Sequence, residues 1–132
     1  MRRSALPASL EPLVEAPGNV LRKLAIRDDT LLRQVLADEE AGRPACSPLD
    51  PKVHALVCVT ALIAMDAAAP SYLWAVEAAR SAGASDEEVV GCLLATLPVL
   101  GAARVVSAAP KLGLALGYDV SAALEDASIA LG

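Results

Sequence analysis

The chain has 132 residues, enough for one modest core, and a formal charge of −5 that leaves no cationic surface for nucleic acid. Hydrophobic residues make up 55% but aromatics only 2%, with no Phe, so the core must be built from Ala, Leu and Val. The three cysteines, Cys46, Cys58 and Cys92, form no CxxC pair and no metal-ligand spacing, which suits reduced thiols better than a disulfide framework or a metal site.

Residues 1–17 contain Pro7, Pro12 and Pro17 and are expected to form an extended or weakly helical arm. No apolar run long enough for a signal peptide follows Met1-Arg2-Arg3, so the expected location is cytoplasmic. Asn19 is placed as the cap of a helix from Val20 to Ile26, with Val20, Leu21 and Leu24 on one face. Asp28 and Asp29 open a second helix to about Glu40, with Leu31, Leu32, Val35 and Leu36 inward and the aspartates at the positive helix end. Gly42 to Pro48 reads as a linker. Residues 1–48 are thus an N-terminal arm and helical hairpin, and residues 49–132 a helical core, in a single domain overall.

The organising stretch runs from Leu49 to Leu100. Asp50 can cap a helix that Pro51 opens, and Val53 to Met65 is apolar almost all round, with His54 and Thr60 the polar interruptions. Such a helix belongs in a core or an oligomer interface. A break at residues 66–70 precedes a helix from Tyr72 to Ala82, ended by Gly83. Ser85 and Glu88 then form a capping box ahead of Val89, Val90, Leu93, Leu94 and Leu97. Pro98 and Gly101 mark a kink or a break, Pro110 is placed at the start of a short helix ending at Gly117, and Asp119 or Ser121 caps a last helix to Leu131. No segment alternates as a strand would. The fold expected is an all-α compact bundle of about six to eight helices.

Mean hydropathy of +0.49 is high for a monomer. The longest uncharged apolar run, Ala55 to Met65, is too short for a bilayer, which needs about 20 residues, so burial against copies of the same chain is the expected outlet. Charge divides unevenly: seven basic and seven acidic groups in residues 1–48, four and nine in residues 49–132.

Leu49-Asp50-Pro51-Lys52 with its apolar helix, Ala78-Ala79-Arg80-Ser81-Ala82-Gly83-Ala84-Ser85, Asp86-Glu87-Glu88-Val89-Val90 and Gly101-Ala102-Ala103 together resemble the carboxymuconolactone decarboxylase family, which includes the alkyl hydroperoxidase D-like proteins. The resemblance spans residues 49 to 112, and its sharpest piece is the Ala-Gly-Ala-Ser-x-Glu-Glu turn into a helix. It implies an all-α fold, homo-oligomers (often trimers or hexamers) and a pocket lined by the core helices. It also implies a glutamate in the first core helix, a histidine in the second and, in the peroxidase branch, a CxxC pair before that histidine. Here the glutamate position falls on Ala55, the CxxC positions on Ala67 or Ala68 and Pro70 or Ser71, and the histidine position on Trp74 or Ala75. None of these supplies the missing group.

The residues left with chemistry are few. Asp50, His54 and Cys58 stand at i, i+4 and i+8 on one helix face, where an imidazole can lower a thiol pKa; equally, Asp50 serves as a cap and Cys58 as a small core residue. Asp66, at a helix C-terminus where a negative charge is disfavoured, is expected either in a solvated loop or in a pocket or subunit salt bridge, to Arg104 or Arg80. Tyr72 and Trp74 can stack on a ligand or fill the old pocket, and Trp74 is expected to be buried as its plug. Arg104 can meet a carboxylate ligand or an acid across an interface. The functional expectation is a non-catalytic homo-oligomer with a structural, scaffolding or small-molecule-binding role, which needs no cofactor or metal; its partners would be its own copies, with a further protein or small molecule open. The alternative is an enzyme of the same fold with its site relocated to His54, Cys58 and Asp66.

Overall fold

The computed structural model describes residues 16–40 and 48–131, and among these residues there are seven α-helices and no strands. The expectations for the arm with Pro7 and Pro12, and for the linker with Cys46, lie outside the described residues. Two compact units divide the chain, Met1–Leu49 and Asp50–Gly132.

In the first unit, α1 (Pro17–Ala25) packs against α2 (Asp29–Glu40). Pro17 sits in the first turn, where its missing N–H is no loss, so α1 begins before Asn19 and the cap expected there is not formed. Asn19 instead accepts a hydrogen bond from Arg22 Nη1 at 3.1 Å within the helix. Asp28 does cap α2, accepting from the Leu31 backbone N–H at 3.0 Å.

The second unit contains α3 (Pro51–Met65), α4 (Ala69–Ser81), α5 (Asp86–Leu100), α6 (Ala102–Leu116) and α7 (Ser121–Leu131). Helices α3 and α6 each pack against both α4 and α5, so four helices close a ring with α3 diagonal to α6. Residues Val59, Ile63, Tyr72, Val76, Val89 and Leu112 are fully buried at its centre, each contributing about 1.5–3 kcal/mol by burial. Ala75, Ala79 and Ala108 are buried among them, and their small side chains let the helices approach. With no Phe in the chain, Tyr72 is the largest fully buried side chain among the described residues.

The corners follow local chemistry. Asp50 Oδ2 accepts from the Lys52 backbone N–H at 3.0 Å, with Pro51 in the first turn of α3. Ser85 and Glu88 form the complete capping box of α5. Helix α4 begins at Ala69, earlier than Tyr72, because Pro70 falls in the first turn and favours helix there. At its end Gly83 has φ 94°, and the Gly83 and Ala84 N–H groups reach back to the Arg80 and Ala79 carbonyls at 3.0 and 2.9 Å. Helix α5 runs through Pro98 and stops at Gly101, a break rather than a kink. Pro110 does not open a helix: α6 is continuous from Ala102 to Leu116 with Pro110 inside it, forgoing the one bond its nitrogen cannot donate. Packing of Ala108 and Leu112 on either side of the proline holds the helix together.

Candidate functional site

Helix α3 carries the candidate thiol and imidazole. Asp50 is spent on its cap, so the Asp–His–Cys line reduces to a pair: Cys58 Sγ lies 3.8 Å from His54 Nε2, both residues half-buried. The second thiol, Cys92, is buried on α5 and contacts the Leu56 and Glu88 carbonyls at 3.7 and 3.6 Å. Asp66 ends the same helix as Cys58 but stands eight residues on, about 12 Å along the axis, so it does not join the pair.

Asp66 has its own partners. It takes φ 54°, a left-handed conformation that aspartate tolerates, and its N–H and that of Ala67 close the end of α3 on the Ile63 and Leu62 carbonyls. Its carboxylate accepts from Ser107 Oγ at 2.8 Å and from Lys111 Nζ at 3.2 Å, and Lys111 also donates to the Ala67 carbonyl at 3.0 Å. Within the chain, then, Asp66 pairs with Lys111 rather than with Arg104 or Arg80. Arg104, Ser107 and Lys111 recur at helical spacing on one flank of α6, so the cations sit where the orphan carbonyls and the acid of the α3 end need them. Arg104 itself is exposed and adds only a favourable field at Asp66.

The hydrogen bonds from Ser107 and Lys111, then the Lys111 charge, hold the Asp66 carboxyl below its ordinary value of 3.8. A depressed carboxylate adds stability above its unfolded pKa and loses it as pH falls through the folded value. The gap between Asp66→Asn and wild type is therefore expected to narrow on acidification: their urea-denaturation midpoints should differ above the unfolded carboxyl's pKa of about 4 and converge as pH falls through the depressed folded value. A gap that widens toward low pH would contradict this.

Arg80 serves a different corner. Its Nε and Nη2 donate to the two Asp86 carboxylate oxygens at 3.1 Å each, Nη2 also donates to the Leu116 carbonyl at 2.9 Å, and Tyr118 OH donates to Asp86 Oδ2 at 3.1 Å. One guanidinium thus ties the end of α4 to the start of α5 and the end of α6. Lys52 Nζ and Glu88 Oε2, 3.0 Å apart, join the first turns of α3 and α5, and the Ser85 N–H with Lys52 keeps the Glu88 carboxyl below its ordinary value.

The two aromatic candidates exchange roles. Trp74 is 56% exposed on the outer face of α4, whereas Tyr72 is 0% exposed. The expectation of a buried Trp74 fails because Ala75, Val76, Ala79 and Tyr72 already take the inward arc of α4, and residue 74 falls on the opposite side. Tyr72 OH donates to the Leu62 carbonyl at 3.1 Å, which satisfies the phenol inside the core and leaves it no reach to a ligand. Burial pushes this phenol above its ordinary value of 10.0, and the Asp66 charge adds to the shift.

The sequence reading missed Ser107, Lys111 and the Arg80–Asp86–Tyr118 cluster. The only signal for the first was the i, i+3, i+7 spacing of Arg104, Ser107 and Lys111. Among the described residues, no group of three or more His, Cys, Asp or Glu side chains could hold a metal ion, and no helix is long and apolar enough to cross a membrane. No protein-family model, curated protein or solved structure matches the chain.

Proposed function

We propose that the chain is a carboxymuconolactone decarboxylase-like protein without that family's acid–base groups, working as a homo-oligomeric structural, scaffolding or small-molecule-binding module. One observation carries the reading. Among the described residues no Asp, Glu, His, Lys or Arg is buried, and the buried Thr96 spends its hydroxyl on the Cys92 and Leu93 carbonyls at 2.8 and 3.1 Å. The ionisable groups buried there are the Tyr72 phenol, spent on the Leu62 carbonyl, and the Cys92 thiol, beside the Leu56 and Glu88 carbonyls. The interior thus has no carboxylate or imidazole with which to hold or move a proton near neutral pH. The positions where the resemblance puts the glutamate and the histidine support it: Ala55 is 6% and Ala75 1% exposed, both packed into the core, and the alternative Trp74 faces outward.

Hydroperoxide consumption with a dithiol reductant is expected to run no faster than with an ordinary protein thiol, since no vicinal thiol is present to resolve a sulfenate. Light scattering of the same sample is expected to give a trimer or hexamer of the 13.5 kDa chain. A 13.5 kDa particle would remove the oligomer from the proposal.

The 3.8 Å contact of Cys58 with His54 favours a second reading, an enzyme whose chemistry has moved to this pair. Sustained peroxide turnover abolished by Cys58→Ser and by His54→Ala would establish that reading over the first.

A further inference from the structure

We draw no further inference here: the strongest candidate, the half-buried Cys58–His54 pair on α3, belongs to the site already described and, among the described residues, has no third ligating side chain to make it more than a thiol–imidazole contact.

Discussion

Tyr72→Ala is expected to cost about 3–5 kcal/mol, the range for emptying a large buried aromatic site, and to be the most damaging single truncation in the helical core. The core of this chain has no Phe, and Tyr72 is 0% exposed, so small neighbours such as Ala75 and Ala79 have little volume with which to close the void. Tyr72→Phe separates the two parts of that cost. It keeps the ring and loses only the 3.1 Å hydrogen bond to the Leu62 carbonyl, which is expected to cost about 1 kcal/mol. The Leu62 carbonyl still accepts from the Ala67 N–H at 3.1 Å, so it is not left orphaned. Trp74→Ala is the contrasting variant: with 56% of the residue exposed, it should move the urea midpoint far less than Tyr72→Ala does. Equal losses at residues 72 and 74 would show that Trp74 is buried in the working protein, against an additional surface.

Gly101→Ala is expected to destabilise by about 1–3 kcal/mol although the new methyl group touches nothing. Gly101 joins α5 to α6 alone, with φ 87° and ψ 164°, a region open essentially to glycine. A Cβ built there has no neighbour within 4 Å, so the entire penalty is backbone strain rather than a clash. Gly18→Ala supplies the opposite sign in the same chain. Gly18 is in α1 with open space around its Cα, and an alanine there should stabilise by roughly 0.5 kcal/mol by narrowing the unfolded ensemble. Thermal denaturation of the two variants tests the pair; stabilisation by Gly101→Ala would show that the α5–α6 corner relaxes to an ordinary turn.

Local chemistry made much of this fold legible in the sequence. Asp50-Pro51, Ser85 with Glu88, and Gly83 each act through atoms within four residues, so the start of α3, the start of α5 and the end of α4 were set before any tertiary contact formed. The apolar run from Val53 to Met65 likewise declared a helix, because no strand alternation competes with it. Periodicity could not settle which arc of that helix faces inward, since every arc is apolar; packing against α4, α5 and α6 selected Ala55, Val59 and Ile63.

Tertiary structure alone decided the remainder. Pro110 carries a local instruction to break a helix, and buried neighbours at Ala108 and Leu112 overrule it. Which of Tyr72 and Trp74 enters the core depends on the rotation of α4, a choice of roughly 160° that no single aromatic residue encodes. Asp66 shows the limit most plainly. Its charge at a helix C-terminus looks unfavourable along the chain, and the partners that make it favourable, Ser107 and Lys111, are 41 and 45 residues away. Electrostatic partners of that separation are chosen by the docking of α6 on the α3 end, so the sequence determined the acid while only the folded chain determined what it holds.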